Sequence, residues 1–292
     1  MSYTITIVDP NEQAIDLELR KLLCAANYDS ELLPKNFLAK NICSKASASS
    51  FFLVAYDNDT IIGCNGFLAN DFLLDGIHYI GYQSCWTATH PDHQRKKVFS
   101  SIIETAKIIL KEKGAGFLYG IANNYSNPIL TKRLGFREIP SLVLRMPNIP
   151  FLNRCYFTQA IVHNNKGACY INELQVMDHK MKQSPDSVKL VKYNDSWLWG
   201  KRLKKRKFGF SVPVFYVGGI CLAATADLKG LVSELFRSQN VLFVQFFSCE
   251  SNRFNALLKG WKTSKMNGFI FFNFTMPHFD YFNLMIGPID VF

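Results

Sequence analysis

The sequence predicts a mixed α/β (α+β) protein made of two successive halves, each with its own mixed sheet. Three observations lead to this prediction. Runs of aromatic and β-branched residues alternate with segments of helical period, and short turns join several of these runs. A similar order of elements recurs after residue 188. A Pro-broken stretch at 147–155 separates the two series and predicts a domain boundary between residues 150 and 151.

The first half is predicted to form a helix, a three-strand meander and a helix–strand–helix–strand series. Leucines recur with helical spacing over residues 10–28, after a start rich in Asp and Asn. Turn sequences "DND" and "LDG" separate the next three runs, which favours antiparallel pairing. The elements after the first helix are strands 50–57, 60–70 and 78–89, helix 97–114, strand 117–123, helix 127–136 and strand 142–148.

The second half is predicted to repeat this order with one meander strand missing. Residues 156–186 show no clear pattern, and the polar stretch 178–187 is typical of a loop. The predicted elements are helix 193–207, strands 212–218 and 219–226, helix 227–239, strand 241–248, helix 250–261, and strands 267–275 and 281–287.

Composition narrows the class of protein. The 292 residues are 48% hydrophobic, which is enough for a packed core and argues against disorder. The net charge of +10 favours a polyanionic partner, such as a nucleotide, coenzyme phosphates, nucleic acid or an acidic membrane. Eight cysteines include no Cys-x-x-Cys pair, no basic-then-apolar leader is present, and no apolar run reaches the ~20 residues of a membrane span. We therefore expect a cytoplasmic protein with no metal.

One loop stands out as an anion site. The segment "HPDHQRKKVF" (90–99) lies between a predicted strand and a predicted helix and carries three consecutive cations. The first N–H groups of a helix have no intrahelical acceptor, and the helix dipole adds positive charge there. Together these features suit a pyrophosphate. The alternative is an ordinary solvated basic helix start.

The loop, the segment "NNYSNPILTKRLGF" (123–136) and the element order of residues 1–148 resemble the GCN5-related N-acetyltransferase (GNAT) superfamily. In that family a Gln/Arg-x-x-Gly-x-Gly/Ala loop binds the pyrophosphate of acetyl-CoA. Gln94 matches the first position, whereas Lys97 and Phe99 stand where the family has Gly. The resemblance implies an acyl-CoA cosubstrate held by Thr87, Ala88, Thr89, Gln94, Arg95, Lys96, Lys97, Val98 and Phe99.

The resemblance also implies where the reaction takes place. A backbone N–H between Cys85 and Thr89, with Trp86 or Thr87 favoured, would stabilise the oxyanion. The family's usual Tyr is Thr131 here, so the thiolate leaves unassisted or is protonated by Tyr125. Ser84, Trp86 and Tyr125 are thus the predicted catalytic residues. Asn123 or Asn124 would bind the pantetheine, or cap the next helix, or both.

Side chains on the strand before the loop are candidates for contacts with the acceptor. In "GYQSCW" (81–86), strand alternation places Tyr82, Ser84 and Trp86 on one face and Gln83 and Cys85 on the other. We predict that Tyr82 and Gln83 bind substrate, although core residues with satisfied polar groups are an equal alternative. Cys85 is interpreted as a small buried residue and not as a nucleophile. His90 is expected to be a turn residue, and His93 to face solvent.

The second half has no phosphate loop, because its helix 227–239 starts with an acidic residue, which repels phosphate. Its segment "WLWGKRLKKRKF" (197–208) carries six cations from Lys201 to Lys207. Trp197 could stack on a base while Arg202 neutralises a diphosphate; the alternative is a solvated helix end. The arrangement resembles, more faintly, two-repeat acyltransferases that modify nucleotide-linked amino sugars in surface-polysaccharide (O-antigen) biosynthesis. A degenerate second repeat would complete the acceptor site.

The favoured hypothesis is therefore an acyl-CoA-dependent N-acyltransferase that acylates a nucleotide-linked amino sugar by direct attack in a ternary complex. One alternative is an aminoacyl-tRNA-dependent transferase with paired GNAT-like units, although no long helical arm is predicted. The other is an inactive nucleotide- or CoA-binding module, which the loss of both loop glycines favours. We expect no membrane or nucleic-acid partner, and an oligomer is possible.

Overall fold

The structure is a computed structural model of the 292-residue chain. It describes residues 3–8, 12–28, 33, 35–42, 46–74, 77–149, 169–170, 188–207, 210–223, 227–249, 255, 258 and 261–275. The chain divides into two compact units. Unit 1 contains Met1–Phe72, Ile77–Glu138 and Phe269–His278; unit 2 contains Leu73–Gly76, Ile139–Gly268 and Phe279–Phe292.

Most elements of unit 1 come from the first half of the chain. Its strands are β1 (Thr4–Ile7), β2 (Phe51–Asp57), β3 (Thr60–Leu74), β4 (Ile77–Thr89) and β5 (Phe117–Ile121). Its helices are α1 (Gln13–Ala25), α2 (Phe37–Ile42), α3 (Val98–Glu112) and α4 (Ser126–Arg133). The predicted helix, meander and helix–strand–helix series are confirmed, and β1 and α2 are additional.

Unit 2 is built around a second meander. Its strands are β6 (Arg137–Pro147), β7 (Cys169–Tyr170), β8 (Val188–Tyr193), β9 (Ser196–Lys207), β10 (Phe210–Cys221), β11 (Phe243–Cys249) and β12 (Lys262–Asn273), with the last five residues of β12 counted in unit 1. Its helix α5 spans Asp227–Gln239, the predicted bounds. Within this unit the strands lie in the order β6-β11-β10-β9-β8.

The sheet of unit 1 has helices on both faces because its strands alternate apolar side chains. On β2, Phe51 and Leu53 pack in the cluster that contains the buried residues of α3, whereas Phe52 and Val54 pack in the cluster that contains those of α1. Helices α3 and α4 are followed by Gly114 and Gly135, both at φ 70°, as the sequence predicts for helix ends.

Both units contain a parallel strand–helix–strand connection. In unit 1, β4 pairs with β5 from Gly81↔Phe117 to Gln83↔Tyr119. In unit 2, β10 pairs with β11 from Val214↔Phe243 to Tyr216↔Gln245. The meander β2-β3-β4 followed by α3 and β5 therefore recurs as β8-β9-β10 followed by α5 and β11, and the predicted tandem architecture is confirmed.

The predicted helix 193–207 is wrong. Residues 196–207 form strand β9, which pairs antiparallel with β8 over residues 196–201 and with β10 over residues 197–207. Lys and Arg have good helix propensity, but pairing on both sides outweighs that preference. The apolar side chains of Trp197 and Trp199 also recur with the period of two that a strand requires.

Two predicted strands, 212–218 and 219–226, are one strand in the structure. The pair Gly218-Gly219, which we interpreted as a break, is a β-bulge at which the pairing with β9 shifts by one residue. With β8 in place, the second meander has all three of its strands. The expectation that one meander strand is missing is therefore wrong.

Each unit also contains a strand segment from the other half of the chain. Segment Ser141–Pro147 of β6 pairs with β11 and belongs to unit 2. Segment Phe269–Asn273 of β12 pairs with β5 and belongs to unit 1. Contacts thus do not divide the chain at residue 150, and the assignment of donor and acceptor roles to residues 1–150 and 151–292 stays a prediction. Most of the predicted elements at 250–261 and 281–287 lies outside the described residues.

Among the helices that the structure describes, none is long and apolar enough to cross a membrane. The described residues also include no cluster of three or more His, Cys, Asp or Glu side chains that could hold a metal ion.

Candidate active site

The connection from β4 to α3 begins with a tight turn. Pro91–His93 form one turn of 3-10 helix, in which the His93 amide donates to the His90 carbonyl at 2.9 Å. His90 Nδ1 accepts from the Asp92 amide at 3.4 Å, so its ring caps the turn, as expected. His93 is half-buried, with Nδ1 3.8 Å from an Asp57 carboxylate oxygen. The prediction that His93 faces solvent is therefore only partly met.

The loop then adopts the left-handed backbone conformation twice. Arg95 and Lys97 each have φ 62°, whereas Gln94 between the turn and Arg95 has φ −62°. Lys97 stands where the Gln/Arg-x-x-Gly-x-Gly/Ala loop has its first Gly, and Lys97 has the backbone conformation that Gly adopts freely. For a residue with a Cβ this costs about 1–2 kcal/mol. Gln94 is extended, with ψ 155°. Left-handed residues before a helix aim neighbouring amides away from the chain, as in anion-binding loops.

Helix α3 starts directly after Lys97 without a side-chain cap. The Ser101 amide donates to the Lys97 carbonyl at 3.0 Å, and Lys97 makes no side-chain capping bond. The N–H groups before Ser101 therefore have no acceptor within the helix. The side chains of Val98 and Phe99 pack on the core of unit 1, so only their backbone faces the helix end. Uncapped amides and exposed cations together are the groups that an anion-binding helix start requires.

Strand β4 separates from β5 just before this corner. Their paired residues end at Gln83↔Tyr119. At the next position, a Cβ on Gly120 would lie 3.2 Å from the Ser84 carbonyl oxygen, so the two backbones are close there only because residue 120 is Gly. Beyond it Trp86 has φ 50°, a bulge within β4. The described β4–β5 pairs thus stop before residues 85–89, and this gap in the pairing is called the wedge below.

The bulge corrects the predicted side-chain faces. Trp86 packs 4.9 Å from Phe37 and 5.8 Å from Tyr28, ring centre to ring centre, in the cluster beneath α1 and α2. Ser84 and Thr87 instead bond to Asn65. Trp86 therefore does not share a face with Ser84, because the positive φ inserts an extra residue into the alternation. The Trp86 indole N–H is buried, with no hydrogen-bond partner among the described residues.

Tyr82 and Gln83 are core residues. Each is 1% exposed, and Tyr82 packs in the cluster with α3 while its hydroxyl donates to the Ser49 carbonyl at 3.4 Å. Burial raises the pKa of Tyr82. This argues against the predicted substrate contacts. Cys85 is buried and its Sγ lies 3.8 Å from the Gly66 carbonyl, which agrees with its interpretation as a core cysteine.

The segment after β5 is a capped helix start. The Asn123 side-chain oxygen accepts from the amides of Tyr125 at 3.0 Å and Ser126 at 2.8 Å. Asn124 and Tyr125 are exposed, and Tyr125 is 87% accessible. The Thr131 hydroxyl donates to the Asn127 carbonyl at 2.8 Å, as in an ordinary helix. Asn123 thus uses its oxygen as a cap, which leaves its amide N–H groups for a ligand.

Trp197 and Arg202 lie on β9 in unit 2. Trp197 is half-buried beside Val188 and Trp199, and Arg202 is exposed. Because β9 is regular from residue 197 to 202, their side chains leave opposite faces of the sheet. Trp197 and Arg202 therefore do not lie side by side, and their predicted contacts with a nucleotide stay predictions.

Comparison with known proteins agrees with this geometry. Residues 35–139 match the family model of the acetyltransferase (GNAT) domain. Similar solved structures include Eis1 from Mycobacterium abscessus (TM-score 0.61, 12% identity, 93% of this chain and 73% of that one). A probable N-acyltransferase from Enterococcus faecalis is also similar (0.65, 8%, 94% and 74%), as is a putative acetyltransferase from Pyrococcus horikoshii (0.57, 11%, 98% and 95%). No curated protein sequence matches the chain.

The structural likenesses are at low identity and show the fold. The residues that match the family model, 35–139, include the β4–α3 corner. Residues 35–139 thus match an acetyltransferase (GNAT) domain within a GNAT-like fold, which supports an enzyme of the N-acyltransferase class.

Two residues of the site were not found from the sequence. Asn65 bonds both Ser84 and Thr87 from β3, and the Tyr28 hydroxyl donates to the Thr87 carbonyl at 3.2 Å. An Asn within the apolar run "IIGCNGF" is the one signal that could have pointed to Asn65, because polar residues are rare in buried strands.

Proposed function

We propose that the protein is an acyl-CoA-dependent N-acyltransferase that acylates the amino group of a nucleotide-linked amino sugar by direct attack. The observation that carries the proposal is the β4–α3 corner. There, an uncapped helix start and two left-handed residues, Arg95 and Lys97, meet exposed cationic side chains. This combination suits the diphosphate of a coenzyme.

The residues present fit the coenzyme. Amides from about Gln94 to Phe99 would hold the diphosphate, with Arg95 and Lys97 adding charge. The wedge beside residues 85–89 would receive the extended pantetheine, and one of these amides would donate to the thioester oxygen. When bound, the acyl-CoA supplies an activated carbonyl carbon. The chain supplies orientation and charge stabilisation.

The reaction is a simple exchange at the carbonyl carbon. The neutral amine of the acceptor forms a C–N bond, the C–S bond breaks, and the CoA sulfur leaves with the bonding electron pair. The amine loses one proton to a base, and the thiolate takes up one proton. The Thr131 hydroxyl already donates a hydrogen bond to the Asn127 carbonyl of the helix. The exposed phenol of Tyr125 is therefore the better candidate to protonate the sulfur.

An anionic acceptor fits the charge of the chain. The net charge is +10, and β9 presents the exposed cations Arg202 and Lys204 on one face. These side chains suit the diphosphate of a nucleotide-linked sugar. The choice of an amino sugar rests on the resemblance to two-repeat acyltransferases of surface-polysaccharide biosynthesis.

The experiment is a two-step binding and activity measurement. Calorimetry with CoA should show binding, and CoA should raise the melting temperature. Release of free thiol from acetyl-CoA is then followed with a panel of nucleoside-diphosphate amino sugars and the same sugars without the nucleotide. Faster release with the linked sugars supports the proposal. Steeply salt-dependent RNA binding without CoA binding supports the tRNA-dependent alternative, and no response to any ligand overturns all enzymatic versions.

A further inference from the structure

A buried carboxamide connects β3 to both sides of the β4 bulge. Asn65 is fully buried, and its Nδ2 donates to Ser84 Oγ at 3.0 Å and to the Gly66 carbonyl at 3.2 Å. Its Oδ1 accepts from the hydroxyl of Thr87 and lies 3.2 Å from Ser84 Oγ. An Asn side chain has two N–H donors and one oxygen with two lone pairs. Asn65 therefore uses its full hydrogen-bonding capacity here.

The two partners flank the strained position. Ser84 and Thr87 lie on either side of Trp86, whose φ of 50° is a conformation that an aromatic residue with a Cβ adopts only under restraint. Ser84 is also the first residue of β4 beyond its described pairing with β5. Asn65 thus bonds the side chains on both sides of Trp86, while Cys64 Sγ and the Tyr28 hydroxyl donate to the carbonyls of Trp86 and Thr87.

The fixed backbone is the part that would meet the thioester. The amides of Cys85, Trp86 and Thr87 lie within the bulge, so their direction depends on its exact shape. An oxyanion donor loses most of its effect when it is displaced, because the stabilisation depends on preorganised geometry.

We propose that Asn65 is a positioning residue for acyl transfer: by bonding Ser84 and Thr87 it holds the Trp86 bulge so that an amide of residues 85–87 donates to the thioester oxygen. Asn65 itself touches no substrate. This inference rests on the proposed function, since it needs acyl-CoA in the wedge.

The test compares two asparagines of the same strand. Asn70 also lies on β3, and its Nδ2 donates to the buried Tyr119 hydroxyl at 2.9 Å and to the Leu68 carbonyl at 3.2 Å. Asn70→Ala therefore removes two hydrogen bonds of a half-buried carboxamide on the same strand without touching the bulge. Both variants should lower the melting temperature, Asn65→Ala by more, so the melting temperature reports the loss of stability and the carbonyl signal reports the loss of positioning.

The readout is the carbonyl carbon of [1-13C]acetyl-CoA in the NMR spectrum of the complex. A hydrogen bond to the thioester oxygen polarises the carbonyl and moves this signal downfield. We expect the shift in the wild-type and Asn70→Ala proteins, and its loss in Asn65→Ala. With any acceptor that supports turnover, kcat of Asn65→Ala should fall on the order of 10²-fold, as when an oxyanion donor is lost, with KM for acetyl-CoA within about threefold.

A second variant keeps the shape of the side chain. Asn65→Asp keeps the side-chain oxygen and replaces the amide nitrogen with a second oxygen, so the ionised form has no donor. Burial favours the protonated form, which regains one donor. The carbonyl shift of this variant should therefore recover as pH falls, whereas a purely structural role predicts no such recovery. A normal carbonyl shift in both Asn65 variants overturns the inference while leaving the proposed function intact. Failure of the wild type to bind acetyl-CoA overturns both.

Discussion

The two strand–helix corners of the protein have the same connectivity and opposite electrostatics. In unit 1, α3 follows left-handed Arg95 and Lys97 and has no side-chain cap. In unit 2, α5 begins at Asp227, whose carboxylate accepts from Asn194 Nδ2 and Ser196 Oγ, each at 2.9 Å. One helix start presents cations and open amides, whereas the other already carries its own anion.

This difference teaches that the fold alone does not make a coenzyme site. A carboxylate in the first turn complements the helix dipole and stabilises α5, but it also repels a phosphate. Ser196 additionally accepts from the Ala223 amide at 2.9 Å, so the corner of unit 2 is closed by its own side chains. A repeat can keep its strands and helix while a few residues decide whether the corner binds a ligand or caps itself.

Charge reversal at the corner of unit 1 should have the largest effect. Lys97→Glu replaces a cation with an anion beside the proposed diphosphate, and each unit charge near 4 Å is worth about 1 kcal/mol in water, so the CoA affinity should fall about 30-fold. Calorimetry measures it. Lys229→Glu makes the same charge change on the exposed first turn of α5 and should leave the affinity unchanged. Equal affinities for the two variants would contradict the assignment of the corner.

Removal of the carboxylate from the corner of unit 2 should cost stability and not function. Asp227→Ala deprives Asn194 and the buried Ser196 of an acceptor, so we expect a loss of about 2 kcal/mol in the free energy of unfolding. Urea denaturation measures this loss. Asp195→Ala changes an exposed carboxylate in the neighbouring turn and serves as the control. A gain of CoA binding at a second site would show that Asp227 alone separates the two corners.

Backbone conformation at Lys97 can be separated from its charge. Lys97→Gly and Lys97→Val both remove the charge, but only Gly adopts φ 62° freely. The Val variant should be about 1–2 kcal/mol less stable than the Gly variant, because β-branching disfavours left-handed backbone. It should also bind CoA more weakly. Equal stability and affinity would mean that the left-handed conformation does not matter at this corner.

The smallest effect concerns the strand that leads into the corner of unit 1. Tyr28→Phe removes the hydrogen bond to the Thr87 carbonyl and should cost about 1 kcal/mol at neutral pH. Tyr125→Phe, at an exposed position, is the control for stability.

The same variant has a pH signature. Burial raises the pKa of Tyr28 from 10.0 to about 12. The neutral phenol's contribution is therefore fully present below pH 10 and is lost as pH rises from 10 to 12. Tyr28→Phe should reduce this alkaline loss of unfolding free energy only in part. Other buried groups also contribute to it, such as Cys64, because burial raises its pKa to about 12. An unchanged decline would show that Tyr28 ionises as freely as an exposed tyrosine.

Elements with a strong local pattern could be predicted from the sequence. Helix α5 has the predicted bounds, and α3 begins one residue after its predicted start. The basic loop also lies where the sequence places it. Apolar stripes and turn residues specify such elements because their signals come from residues close together in the chain.

Elements that depend on distant pairing could not be predicted. Strand β9 carries a basic run that favours a helix in isolation, and only its pairing with β8 and β10 makes it a strand. The pairing of Phe269–Asn273 with β5 joins residues about 150 positions apart, which no local pattern reports.

The sequence by itself determined that the corner of unit 1 combines cations with a helix start, since both are local properties. Only the tertiary structure decided its geometry: the left-handed Lys97, the bulge at Trp86 and the support from Asn65. The physical reason is that strained backbone persists only where surrounding contacts restrain it, and those contacts come from other strands.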